Sequence, residues 1–214
     1  MSAAPDALRE ITDNFALLDE PRRPWLDPEE LKQKFLARSA GVHPDRIHTA
    51  PETVRKAAGD RYAELNAAYN CLREPKNRLR HLLELELGAA PADLERLPTD
   101  VTDGFFELGR ICKEADIFLA ERARVQSPLL KVQLFERGHE WTEKLLAQQR
   151  ELHAKRDGLL AELRSMNPAW DAVSSASALR AGLPFERLEQ IYRTLGYLGR
   201  WFEQLQERIV QLSF

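Results

Sequence analysis

The sequence predicts an all-α protein of two units, a small four-helix unit at the N-terminus followed by a longer three-helix bundle. Three observations predict it. Apolar residues recur at steps of three and four over most of the chain, with no alternating strand pattern. Helix-start signals built on Asp-Pro, Ser-Pro and Pro-Glu punctuate it. The 214 residues are 43% hydrophobic and 30% charged, enough apolar surface for a core and outside the range of disordered chains.

Residues 1–12 read as a disordered tail, and the first unit spans 13–88. Asn14-Phe15-Ala16-Leu17-Leu18 is a short apolar run ended by Asp19-Glu20-Pro21. Asp27-Pro28-Glu29-Glu30 opens a second helix: aspartate caps, proline suits the first helical position, and the acids face the positive end of the dipole. Leu31, Phe35 and Val42 share one face of it. The loop Gly41-Val42-His43-Pro44-Asp45-Arg46 ends it, because the residue before a proline avoids the α region. Thr49-Ala50-Pro51-Glu52 reads as a capping box. Val54, Ala58, Tyr62, Leu65, Tyr69 and Leu72 then form one stripe of a long third helix that Pro75 stops. A fourth helix from about Lys76 to Leu87 closes at Gly88.

Residues 89–100, with Pro91 and Pro98, read as a linker, and 101–214 as the bundle. Its first helix, about Asp103 to Arg124, carries Phe105, Leu108, Cys112, Ala115 and Leu119. The second starts at Ser127-Pro128 and reaches about Ser165, with Leu130, Leu134, Trp141, Leu145, Leu152, Leu159 and Leu163 as its stripe and Asn167-Pro168 as its break. Residues 171–183, small and polar, read as a flexible connector. The last helix, about Pro184 to Leu212, alternates steps of three and four through Leu188, Ile191, Leu195, Leu198, Phe202, Leu205, Ile209 and Leu212, a bundle seam.

Composition excludes several functions. Lys and Arg total 31 against 34 Asp and Glu, a net charge of −3, so no global basic field gathers nucleic acid. The N-terminal residues do not form a secretory signal, and no apolar run approaches the roughly 20 residues that span a bilayer; a soluble, cytoplasmic chain is expected. Cys71 and Cys112 form no CxxC pair and read as helix-face residues. His139-Glu140-Trp141-Thr142-Glu143 lacks the second histidine of the zinc-hydrolase pattern H-E-x-x-H, and no Gly-rich phosphate loop occurs. Neither a metal, a cofactor nor an enzymatic activity is expected. Trp141, Trp170, Trp201, Phe118 and Phe202 read as core.

The sharpest signal is His43-Pro44-Asp45, in a turn between two amphipathic helices. Between Leu31 and His81 eleven Lys and Arg face five Asp and Glu, a local net charge of +6. Such a patch steers an acidic protein surface. An aspartate exposed at a turn accepts a bidentate hydrogen bond from arginine, and the proline limits the entropy lost on docking.

At these residues the segment resembles a J-domain, the module that activates chaperones of the DnaK class. Asn14–Leu18 looks like that domain's first helix, Leu31-Lys32-Gln33-Lys34-Phe35 like the opening of its second, and Leu65–Pro75 like the end of its third. Pro75-Lys76-Asn77-Arg78-Leu79-Arg80-His81-Leu82-Leu83 is similar to the fourth helix of the HscB family, J-domain co-chaperones of iron–sulfur cluster assembly. Asn167-Pro168-Ala169-Trp170-Asp171 and Leu195-Gly196-Tyr197-Leu198 resemble landmarks of its C-terminal bundle. The likeness runs from residue 14 onward and is densest in 14–83. Arg38 replaces an apolar residue, 171–183 looks inserted, and the tetracysteine extension of eukaryotic relatives is absent.

The resemblance implies a co-chaperone, not an enzyme, in which His43, Pro44, Asp45, Lys32, Lys34 and Arg46 engage a DnaK/HscA-type chaperone and favour ATP hydrolysis there. It implies that the bundle presents an IscU-type cluster scaffold protein through Phe105, Phe106 and Leu108, with Tyr197 on the last helix. Adjacent aromatics on a helix cannot both face one core, so one of Phe105 and Phe106 points outward. A monomer is expected, binding neither nucleic acid nor membrane. The alternative client is an unrelated protein held by the same bundle.

Overall fold

A computed structural model describes residues 11–91, 102–172 and 182–213. Among them the chain is helical: α1 (Asn14–Leu18), α2 (Pro28–Ser39), a 3-10 turn (Pro44–Arg46), α3 (Glu52–Arg73), α4 (Pro75–Leu87), α5 (Thr102–Arg124), α6 (Pro128–Asp171) and α7 (Phe185–Ser213). The tail 1–10, the linker from residue 92 and the connector 173–181 lie outside the described residues.

Local chemistry explains most boundaries. The Asp13 carboxylate accepts the amides of Phe15 and Ala16, and that of Asp27 accepts those of Glu29 and Glu30. Glu74 is extended because it precedes Pro75, so α3 and α4 meet at a corner. Gly88 ends α4 at φ 75°, where a side chain would be strained. The capping box does not form. Helix α3 begins at Glu52 with Pro51 before it and no side-chain cap; Ala50, preceding a proline, is kept from the helical region, which leaves Thr49 outside the helix.

Contacts divide the chain into two compact units, and the division differs from one drawn in sequence order. One unit comprises the described residues up to Pro91 together with Arg164–Phe185; the other comprises those through Leu163 and from Glu186. The first unit is cored by Phe15, Leu18, Leu26, Leu31, Leu65, Leu72, Leu79, Leu82 and Leu83, all at most 2% exposed. Its α6 segment is tied in by Asn167, whose amide accepts the Trp25 N–H at 3.2 Å and donates to the Trp25 carbonyl at 2.9 Å. Asn167-Pro168 therefore does not break the helix: α6 continues to Asp171, held by that pair and by buried Trp170, packed edge-on to Phe185.

The second unit packs Leu108, Cys112, Ala115 and Phe118 of α5 against Leu134, Leu145, Leu152 and Leu163 of α6 and the α7 seam. Leu130, expected in the α6 stripe, is 48% exposed, and burial there starts at Leu134. Cys71 and Cys112 are free thiols. Burial pushes both thiols above their ordinary value, which keeps them protonated and inert. Among the described residues no cluster of His, Cys, Asp or Glu is arranged to hold a metal, and no helix is long and apolar enough to cross a membrane.

Candidate functional site: the corner between α2 and α3

Helix α2 gives way at Ala40 to a tight corner. The amide of Val42 donates to the Ser39 carbonyl, and that of Arg46 to the His43 carbonyl at 3.0 Å, closing the 3-10 turn. The Arg46 guanidinium reaches back to the Ala40 carbonyl at 3.2 Å. This turn carries the Asp45 carboxylate out into solvent, with a side chain 90% exposed.

Two histidines flank that aspartate. The Asp45 amide donates to His43 Nδ1 at 3.3 Å, and the same nitrogen lies 3.7 Å from Asp45 Oδ2. His48 Nδ1 lies 2.7 Å from the Asp45 carbonyl; because a carbonyl accepts, that nitrogen is the donor. The His43 ring stands edge-on to Tyr62 of α3, with centroids 5.4 Å apart and planes at 89°. Tyr62 neighbours Phe35 of α2, which stacks on Tyr69 at 4.6 Å. A row of rings thus runs from the α2–α3 interface to the corner. Beside it Val42, Thr53, Val54, Ala57, Ala58 and Arg61 line an open, mostly apolar groove.

The cations divide into two groups. Arg46, Arg55 and Lys56 are exposed at or just after the corner, and Lys32 is exposed on the first half of α2. Lys34, predicted to face a partner, is also engaged within the chain: its side chain, 37% exposed, donates to the Asp19 carbonyl at 2.8 Å and lies 3.2 Å from Oε1 of buried Glu20. Arg38 pairs with Asp19 at 3.4 Å, so both side chains pin the corner after α1. Arg78 is no part of a surface patch. It is 3% exposed and donates to the carbonyls of Pro24 at 2.9 Å and Leu72 at 2.7 Å. Burial pulls its pKa down to about 10 against the pull of Glu74, which leaves it a cation at neutral pH. His81, also buried, accepts the Asn14 amide on Nε2 and stacks on Phe15; burial lowers its pKa.

In the second unit the predicted partner-binding residues separate. Phe105 is 6% exposed, packed on Tyr197 and Trp201, and Leu108 is 1% exposed; both belong to the core, where the α5 stripe turns them. Phe106 is 74% exposed, and Ile117 on the same outward face of α5 is 61% exposed. Tyr197 is half-buried beneath the Arg200 guanidinium, 4.5 Å from its ring centroid. Ile117 was not among the sequence-predicted residues; its spacing of eleven from Phe106, three helical turns, was the available signal.

No family model matches the chain. A curated relative, the co-chaperone protein HscB homolog of Bordetella pertussis, is 33% identical over 130 residues, which is 56% of this chain and 74% of the relative. The HscB homolog of Bordetella petrii is 40% identical over 72 residues, 34% of this chain and 42% of the relative. Among solved structures, human co-chaperone HscB aligns with a TM-score of 0.52 at 20% identity, covering 95% of this chain and 83% of that one, a likeness of fold.

Proposed function

Since the chain belongs to the HscB family of co-chaperones, we propose that it stimulates the ATPase of a DnaK/HscA-type chaperone and delivers an IscU-type iron–sulfur scaffold protein to it. The observation that carries the first half is the Asp45 carboxylate, projected into solvent at the tip of a closed turn. A carboxylate so placed accepts both forks of a partner arginine. Pro44 and the His43–Asp45 hydrogen bond limit what the loop loses in entropy on docking. Lys32, Arg46, Arg55 and Lys56 raise the encounter rate with an acidic surface, an effect that weakens with salt. Lys34 acts indirectly, by holding the corner after α1.

The scaffold is assigned to the outward face of α5, where Phe106 and Ile117 expose large apolar side chains, and to half-buried Tyr197 of α7. The cluster travels as cargo on the scaffold, and the reaction is placed in the cytoplasm.

Asp45→Asn tests the docking reading. The substitution keeps shape and removes charge from an exposed side chain, so stability stays within about 0.5 kcal/mol of the parent. Stimulation of the chaperone's ATPase falls at least tenfold, the scale of one lost charge-assisted pair. Undiminished stimulation by the folded variant would reject the reading.

A further inference from the structure

Asp45 is the exposed group, but nothing on its own side chain fixes it. What orders it is His43, through the amide of Asp45, and what orders His43 is a ring on another helix. We propose that Tyr62 is a positioning residue for the corner: it holds the His43 imidazole in the one orientation that both closes the turn and leaves the Asp45 carboxylate free. This rests on the docking reading above for its functional consequence, though not for its structural one.

The geometry carries it in three steps. To accept the Asp45 N–H, Nδ1 of a neutral His43 must be bare, which places the ring proton on Nε2. A bare Nδ1 presents a lone pair to Asp45 Oδ2, 3.7 Å away, and so does not hold the carboxylate back; a protonated Nδ1 would donate to it and fold it onto the loop. A quarter-turn of the imidazole about its bond to Cβ would swing Nδ1 out of line with the Asp45 amide and strand it. The edge-on contact with Tyr62, at 5.4 Å and 89°, resists that turn because tilting the imidazole plane would lose the perpendicular arrangement of the two rings.

Tyr62 is itself fixed. It neighbours Phe35 with centroids 6.5 Å apart, and Phe35 stacks on Tyr69 under the Arg73 guanidinium. The row therefore links the α2–α3 packing to the orientation of one imidazole. Around His43 the charged neighbours are Asp45 within the loop, Arg46 bound to the Ala40 carbonyl, His48 on the Asp45 carbonyl, and the Arg61–Glu64 pair on α3. None of these contacts an imidazole nitrogen of His43 in place of Asp45.

Tyr62→Leu keeps bulk in the α3 stripe and removes the ring, and Tyr62→Phe keeps the ring and removes the hydroxyl. Nitrogen NMR of the free protein reads the ring directly. In the parent and in Tyr62→Phe, His43 Nδ1 shows the shift of an unprotonated, hydrogen-bond-accepting nitrogen; in Tyr62→Leu it moves toward the mixed-tautomer average. With a DnaK/HscA-type chaperone, Tyr62→Leu needs about tenfold more protein for half-maximal stimulation at an unchanged plateau, while Tyr62→Phe matches the parent. An unchanged His43 shift in folded Tyr62→Leu overturns the proposal, as does Tyr62→Phe losing as much as Tyr62→Leu. Should Tyr62→Leu not fold, Tyr62→Met is scored by the same shift and the same outcomes. If Asp45→Asn leaves stimulation intact, the docking reading falls, yet the His43 shift still decides the positioning role.

Discussion

Arg78 is the buried cation on which the first unit's corners converge, and its removal has a calculable cost. In Arg78→Ala the carbonyls of Pro24 and Leu72 lose their donors. A buried acceptor left unmet costs about 1–3 kcal/mol, and the void of the missing side chain adds about 2 kcal/mol. Against this, the folded state no longer bears the desolvation that draws the guanidinium down to about 10, worth on the order of 3 kcal/mol. The balance is a loss of about 3 kcal/mol. Arg78→Met keeps most of the packed stem, so its loss is about 1–2 kcal/mol. Urea unfolding followed by circular dichroism measures both. An Ala variant within 0.5 kcal/mol of the parent, a margin usual for uninvolved surface sites, would refute the reasoning.

The two aromatic neighbours on α5 divide in their effects. Phe105→Ala costs about 3–5 kcal/mol by emptying a core site, read as a lowered unfolding midpoint. Phe106→Ala leaves the midpoint within about 0.5 kcal/mol and weakens binding of an IscU-type scaffold in calorimetry, with ATPase stimulation unchanged. His81 ties stability to pH. Its folded pKa is depressed below the unfolded value of about 6.5, so its contribution is intact above that value and is lost as pH falls through the folded one. His81→Phe flattens the fall of unfolding midpoint between pH 7.5 and pH 5 relative to the parent, an interval set about the unfolded value.

Much of this was legible because helices announce themselves locally. Asp27-Pro28, Pro75 and Gly88 act through caps, ring geometry and positive φ, all properties of neighbouring residues. The His43-Pro44-Asp45 turn was legible for the same reason. What sequence order concealed was tertiary. Asn167-Pro168 reads as a break because the amide-to-backbone pair with Trp25, 142 residues away, is invisible in the local pattern. Arg78 counts as surface charge until its partners are seen, and Lys34 and Arg38 count as free cations until Glu20 and Asp19 are. Tyr62 reads only as one residue of a stripe, since nothing in its spacing shows that His43 stands over it. Phe105 and Phe106 were rightly separated by helical geometry, but which one faces out depended on the neighbouring helix.

The corner's part in chaperone engagement is tested most directly by titrating isotope-labelled protein with ATP-bound DnaK/HscA-type chaperone and following every backbone amide. The account predicts that signal loss centres on residues 40–48 and spreads to Lys32, Arg55 and Lys56, and that Asp45→Asn abolishes it. Signal loss confined to α5 and α7, with the corner undisturbed, would contradict it.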